Sequence, residues 1–419
     1  MGKGYIGYDG KARDIDRGYV GINGKARRIK KGYVGVNGVA RQIYFDGGNY
    51  SYYRSFYTAT PMSRGVSNHA SKSIGELAFL AGGKYRIIID NVSTDTSSEK
   101  VECRDIELTR SAVADLSMSR SGLAPSKIEE KYVLFAGGAY IGHSGSTLII
   151  QDVYNVDVYD AEKTHYIASN VNKTIAGNGG TRTSNHAIFM QSYYNGQDPP
   201  SNIGTVYDDN LTKSNLTLPD DRQYPSLSYI DGKAIVAGGY IASSSQTEYL
   251  SSAYCIDDDM VIQGIPSVVA SRYSSTITGE TKKYAILQEF LENDQREITI
   301  TYSFYDRNLT RSVVTAVTHL YNGHGMFTNN WGETVGEKVA VFEYYNRDPD
   351  WQHVYLKISV DEDKVISNFP NSDKNTDVAI STCHLGNYML ISGGYSIDPS
   401  TPMETSDSIL VHEFKYQYQ

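Results

Sequence analysis

The chain has 419 residues, a formal charge of −9, and 38 glycines and 35 tyrosines. Gly and Pro punctuate it every few residues, which excludes long helices and predicts a β-rich protein with many turns. No apolar run reaches the length of a membrane-spanning helix. The three cysteines (Cys103, Cys255, Cys383) are odd in number and far apart, so no disulfide framework or zinc spacing follows, and they read as small buried hydrophobes in strands.

The first 45 residues carry three copies of a 14-residue motif: GYIGYDGKARDIDR (4–17), GYVGINGKARRIKK (18–31) and GYVGVNGVARQIYF (32–45). Self-similarity at a fixed period decides the architecture before any other signal. Each copy centres on Asp9-Gly10, Asn23-Gly24 or Asn37-Gly38, pairs that suit a type I′ turn, so each copy is predicted to be one hairpin. Residues 1–45 carry +7 and the remainder −16. The basic residues alternate along the predicted strands and do not cluster, which favours a ribbon meeting a protein partner over one binding nucleic acid. Three hairpins bury too little surface to stand alone. Their stability is expected to come from a partner, from homo-oligomerisation or from docking on the body. The residues repeated at each copy, Tyr5, Tyr19, Tyr33 and Arg13, Arg27, Arg41, are the candidate attachment residues. Met1 is followed by Gly-Lys-Gly-Tyr with no apolar stretch, which predicts no secretory signal peptide.

From residue 50 onward a longer period takes over. Seven short apolar segments recur: LAFLAGG (77–83), YVLFAGG (132–138), AIFMQS (187–192), KAIVAGG (233–239), YAILQEF (284–290), KVAVFEY (338–344) and YMLISGG (388–394). Their spacing matches the propeller-blade period. A second apolar strand follows each, typically with an acidic turn, as in VDVYD (156–160), TVYD (205–208), YCID (254–257), SFYD (303–306) and ISVD (358–361); Asp suits the first position of a tight turn. Third strands follow at 215–218 and 313–317, and then a lead-in to the next unit's innermost strand.

This pattern resembles kelch-repeat β-propellers, through Gly82-Gly83, Gly137-Gly138, Gly238-Gly239 and Gly393-Gly394 and the Tyr-Asp pairs 159–160, 207–208 and 305–306. It departs from that family in lacking Gly-Gly in units three, five and six, and in lacking a Trp after the Tyr-Asp turn. The resemblance implies an all-β fold: a seven-bladed kelch-like β-propeller over 49–419, with a small N-terminal β-hairpin repeat domain over 1–48. The seventh unit runs out after SILVHEFK (408–415), without an outer strand, while YSYYRSFYT (50–58) has no unit of its own. The second segment is therefore expected to complete the seventh blade and close the ring.

Basic residues stand near the predicted innermost strands: Arg64, Arg120, Arg182, Arg222 and Arg272, with His319 and Lys374 in weaker alignment. In a four-stranded blade the lead-in to strand one and the loop between strands two and three share a face. Those loops carry Tyr140, Tyr193, Tyr194, Tyr240, Tyr249, Tyr344, Tyr345, Trp351 and Tyr395. One reading is a face for an anionic or sugar-containing ligand, with tyrosines giving contact area and hydroxyls and arginines giving forked donors. The other is that the arginines fasten carbonyls or turn carboxylates between blades. His69, His186 and His384 show no metal-binding spacing and are expected to pack; no metal and no cofactor is implied. The nucleophile elbow, the P-loop and the zinc-helix motif are absent. The acidic runs 257–259 and 361–363 read as solvated turns, which leaves a carboxylate pair of glycosidase type open.

The N-terminal copies resemble repeats found at the start of structural proteins of phages and prophages of Gram-positive bacteria, on the letters GY[IV]G, [DN]G and AR present in all three. That resemblance implies a virion protein assembled in the bacterial cytoplasm. Residues 1–48 would attach to other virion proteins, and the propeller would bind host-surface glycan or another receptor without membrane insertion. The alternatives are a polysaccharide-acting enzyme on the propeller face and a decoration protein without ligand.

Overall fold

The computed structural model describes residues 5–418 apart from 9–10, 15–18, 23–24, 29–30, 37–38, 45–49, 91, 146, 173–174, 176–178, 191–200, 243–246, 270–277, 282, 293–296, 321–330, 336–338, 348–352, 362–363, 365, 369–376, 386–387 and 397–405. Among the described residues every regular element is a β-strand, and none is a helix that could cross a membrane. The chain divides into two compact units, residues 1–55 with 414–419, and residues 56–413.

The first unit holds three two-stranded antiparallel ladders: Tyr5–Tyr8 with Lys11–Asp14, Tyr19–Ile22 with Lys25–Arg28, and Lys31–Val36 with Val39–Tyr44. The ladders close at Tyr8 opposite Lys11, Ile22 opposite Lys25 and Val36 opposite Val39, leaving two residues between strands in each copy. Those Asp-Gly and Asn-Gly pairs lie outside the described residues.

Among the described residues seven four-stranded sheets follow the ladders. Their first strands are Ala70–Ile74, Ala124–Ile128, Gly180–Arg182, Ser226–Ile230, Thr278–Glu280, Trp331–Val335 and Asp377–Leu385. Their second strands are Leu77–Ala81, Tyr132–Ala136, Ala187–Phe189, Lys233–Ala237, Tyr284–Glu292, Val339–Arg347 and Tyr388–Ser396, which are the seven apolar segments of the long period. In the first six sheets the four strands follow one another in sequence; the seventh takes its fourth strand, beside Ile409–Tyr418, from Tyr50–Ala59. Each first strand packs on the first strand of the next sheet, and that of the seventh packs on that of the first.

The core lies between sheets. Phe79, Cys103, Val133, Phe135 and Tyr159 join the first and second sheets, and Leu134, Val158, Phe189 and Tyr207 the second and third. Two further clusters join the third to the fourth and the fourth to the fifth. Leu80, Cys383, Leu390, Ile409 and Val411 join the seventh to the first. The three cysteines are buried in these clusters, and burial pushes the Cys103 and Cys255 thiols up to about 11.

Three periodic devices hold neighbouring sheets together. The first explains Gly-Gly in the first, second and seventh sheets; at Gly238 of the fourth a Cβ would meet only ordinary contacts, Val268 Cγ2 at 3.6 Å and the Leu250 carbonyl oxygen at 3.7 Å. Gly82, Gly137 and Gly393 have φ of 65–68° and their successors 92–98°, a region only glycine enters freely. A Cβ on Gly82, Gly137 or Gly393 would collide with the carbonyl oxygen of Arg120, Ile175 or Val66. The following glycine N–H donates to that same oxygen: Gly83 to Arg120 at 2.9 Å, Gly138 to Ile175 at 2.7 Å and Gly394 to Val66 at 2.8 Å. Each oxygen belongs to the chain leading into the next sheet, and for the seventh sheet the next is the first.

The second device is the tyrosine before the acidic turn. The rings of Tyr159, Tyr207 and Tyr305 are buried. Their hydroxyls donate to the carbonyls of Ala114 (2.9 Å), Ser169 and Pro266 (2.6 Å), each where the preceding sheet's fourth strand gives out.

The third is the acidic turn itself. Asp105, Asp160, Asp208, Asp257 and Asp306 each accept, at 2.7–2.9 Å, the N–H four residues on. The residue one before that donor has positive φ and is never glycine: Leu108, Lys163, Leu211, Met260 and Leu309, with Lys364 in the sixth sheet. Each reaches back to the preceding sheet. Leu108, Leu211, Met260 and Leu309 pack on the shared cluster. The ammonium groups of Lys163 and Lys364 donate to the hydroxyls of Ser111 (2.9 Å) and Ser312 (2.6 Å).

Between second and third strands, loops were expected. In the first, second and fourth sheets these segments are further hairpins: Lys84–Ile89 with Val92–Ser97, Ala139–Ser144 with Thr147–Asp152, and Tyr240–Ala242 with Thr247–Tyr249.

Candidate functional site

The lead-in to the first strand and the base of the added hairpin meet at one end of the sheet. Isolated bridges pair Ser67 with Lys84, Ser121 with Ala139, and Gln223 with Tyr240, so in three sheets these two segments share a face.

Arg120 and Arg222 stand in such lead-ins, and both guanidinium groups are fully buried. Arg120 pairs with the buried Asp157 and donates to the carbonyls of Met118 and Phe135, both at 3.2 Å. Asp157 also accepts from the Ser117 amide (2.8 Å), the Ser117 hydroxyl (3.0 Å) and His165 Nε2 (2.6 Å). Arg222 pairs with Asp220 and donates to the Gly238 carbonyl (3.0 Å) and the Ser252 hydroxyl (2.9 Å). Burial works against the Asp220 charge, but hydrogen bonds from Ser252, Arg222 and Tyr254 outweigh it and hold its carboxyl below the usual range. Two more carboxylates pin linkers: Glu102 accepts the Ser63 amide (2.5 Å), and Glu289, bonded by Arg311, accepts the Val269 amide (3.0 Å). The fastening role weighed for these arginines is thus what Arg120 and Arg222 perform, and neither presents a donor to solvent.

Arg182 stands elsewhere than expected. It is the last residue of its first strand, at the end that turns into the second strand, and its guanidinium lies 3.5 Å from the centroid of Tyr229. Of the expected arginines, Arg64 is on the lead-in face, half-buried, 4.2 Å above the Tyr85 ring. Arg272, Tyr193, Tyr194 and Trp351 lie outside the described residues. Tyr345 is placed on the strand Val339–Arg347 opposite Tyr355, and Tyr395 on the strand Tyr388–Ser396 opposite Val378. Tyr140 is half-buried at the base of the second sheet's hairpin.

The fourth sheet carries the most developed arrangement. Tyr240 stacks on Tyr224 with ring centroids 5.6 Å apart and planes 15° apart. Tyr249 meets Tyr240 edge-on at 6.3 Å. Burial, then the neighbouring Tyr249, raises the Tyr240 hydroxyl pKa. Tyr224 follows the bridge residue Gln223 with φ of 49°; the equivalent places hold Asn68 (52°) and Gly122 (67°). Those two residue types enter the left-handed region readily, and a bulky aromatic does so at a cost of about 1–3 kcal/mol. Strain is therefore kept where it sets one ring on another. Tyr224 was not singled out in the sequence; the available signal was its place in RQYPSL, where Asn or Gly stands in the matching lead-ins.

Among the described residues no group of His, Cys, Asp and Glu could hold a metal ion. His69 sits buried in the first lead-in, 2.7 Å from the Ser392 hydroxyl of the seventh sheet. His186 lies in the turn of the third sheet, and His384 on a first strand. Asp257 serves its turn by accepting the Asp259 and Val261 amides.

In the N-terminal ladders, register splits the candidate attachment residues. Arg13, Arg27 and Arg41 oppose Ile6, Val20 and Val34. Tyr5, Tyr19 and Tyr33 fall in the alternate class with the cross-strand pairs Gly7–Ala12, Gly21–Ala26 and Gly35–Ala40.

No family model matches the chain, and no curated protein matches it either.

Proposed function

We propose that the chain is a phage virion structural protein: a seven-bladed kelch-like β-propeller that binds host-surface glycan through its lead-in face, with residues 1–48 attaching it to the particle. The propeller reading is supported by seven four-stranded sheets in sequence order and by first strands that pack in succession, the last on the first. The attachment reading rests on the three N-terminal ladders and their +7 charge beside a −16 body.

The observation that carries glycan binding is the strained, stacked Tyr224–Tyr240 pair with Tyr249 at its edge. Aromatic faces of this kind cover sugar C–H surfaces while their hydroxyls meet sugar oxygens. The matching lead-ins hold Asn68 and Gly122, which enter the left-handed region without the strain that Tyr224 carries. The test is a glycan array, then calorimetry on the best hit, with the full chain. Tyr240→Ala and Tyr224→Asn are each expected to weaken binding at least about tenfold, equivalent to about 1.4 kcal/mol. Tyr224→Asn should leave the melting temperature unchanged or raise it. Full affinity in both variants would overturn the reading.

A further inference from the structure

The hairpin of the second sheet contains a glycine that its backbone does not require. Gly142 lies inside the strand Ala139–Ser144, and its φ is outside the left-handed region. The register runs without a break from Ala139 opposite Asp152 to Ser144 opposite Thr147, so no bulge calls for it either. A glycine within a regular strand weakens it and often marks a close approach. Here the approaching group is Tyr140, two residues back: a Cβ on Gly142 would collide with Oη, Cζ and Cε1 of that side chain. The Tyr140 ring therefore lies along its own strand, one face down on Gly142. No ring or cation among the described residues stacks on its other face.

Cross-strand partners share a side of a ladder, and alternate residues of a strand do too. Tyr140 opposes Gln151 and Gly142 opposes Ile149, so these four stand together. Ala139 and Ile141, on the other side, are buried. Gly142 is buried beneath the ring, Tyr140 is half-buried, Gln151 is exposed and Ile149 is 39% exposed. The product is a flat aromatic surface, extended by an aliphatic side chain and edged by a phenol and an amide. This hairpin and that of the fourth sheet start from equivalent bridges, Ser121–Ala139 and Gln223–Tyr240. In the fourth sheet Tyr240 rests on Tyr224. In the second, Gly122 holds the Tyr224 place, and Gly142 supplies the support instead. Two sheets thus lay a tyrosine flat at the base of the added hairpin by different means. We propose, resting on the glycan reading of the fourth sheet, that Tyr140, Ile149 and Gln151 form a second saccharide platform, which takes a pyranose ring. The aromatic and aliphatic surface covers the C–H side of the sugar, and the phenol and amide meet its hydroxyls. Two weak platforms on one compact unit reinforce each other only where sugars are densely repeated.

The experiment is an array of pyranose disaccharides, each printed sparse and dense, read with the full chain. On its preferred sugar the unmodified chain should bind dense spots at least about tenfold more tightly than sparse ones. Tyr140→Ala and Gly142→Val should each weaken dense-spot binding about tenfold and keep the melting temperature; valine suits a strand, so the second variant displaces the ring in a chain that folds. Tyr240→Ala separates the two readings. No binding by the unmodified chain, or full binding by Tyr240→Ala, would remove the fourth-sheet reading and this platform with it. Binding that depends on Tyr240 but not on Tyr140 would overturn this platform alone, and so would equal affinity on dense and sparse spots or undiminished dense-spot binding by Gly142→Val. A Tyr140→Ala chain that melts lower yet binds as before would assign the ring to packing and overturn it as well.

Discussion

At the scale of single residues, the most informative positions are those that break a local rule. Leu211 has φ of 60°, where glycine would relieve about 1 kcal/mol of backbone strain. Its side chain packs on the cluster shared by the second and third sheets, and losing that burial costs about 2 kcal/mol. Leu211→Gly is therefore expected to destabilise by about 1 kcal/mol in denaturant titration; a stabilised variant would show that the turn residues are not inter-sheet contacts. His69 gives a pH dependence. Burial lowers its pKa from 6.5 to about 4, so the imidazole is neutral in the folded chain while the unfolded chain takes up a proton below pH 6.5. Stability is fully present above that pH and falls by about 3 kcal/mol as pH drops from 6.5 to 4, with no further loss from this group below. His69→Gln should flatten that part of the stability–pH curve; an unchanged slope would assign it to other groups.

At the scale of elements, the strand Tyr50–Ala59 completes the seventh sheet beside Ile409–Tyr418. Ile409 and Val411 on that neighbour are fully buried, and removing the strand would leave the sheet with an open edge. Deleting residues 50–58 is expected to lower the melting temperature sharply, as calorimetry would show; an equal melting temperature would mean that the seventh sheet does not depend on it. The letters made much of this level legible. LAFLAGG and its six counterparts marked every second strand, because a short apolar run is a local signature, closed in four of the seven by Gly-Gly. The acidic turns were legible through Asp, since one side chain makes the turn's hydrogen bonds. The left-handed residues were not, because Leu108 or Met260 is chosen for a contact in another sheet. Arg182 was misplaced for a related reason. SRGVSNHA and TRTSNHA look alike, but the first leads into a strand at Ala70. In the second, the Thr183 N–H donates to the His186 carbonyl (2.9 Å), closing the turn into the second strand. Similar letters served two geometries, and only pairing tells them apart.

At the scale of the whole molecule, a +7 head and a −16 body imply separable roles under the proposed function. Deleting residues 1–45 is expected to abolish incorporation into the particle, measured by immunoblot of purified virions, while calorimetry shows the body still folded; incorporation at the normal level would remove the attachment role. The borrowed strand of the seventh sheet also bears on how the chain reaches its native state. Six sheets are assembled from neighbours in sequence, which fold quickly because little chain has to be closed. The seventh must bring together strands separated by roughly 350 residues, and the entropy of that closure is met before its contacts form. Pairing of Tyr50–Ala59 with Ile409–Tyr418 is therefore expected to be the late, rate-limiting event in refolding. A circular permutant that makes these two strands consecutive should refold faster, with little change in its unfolding rate.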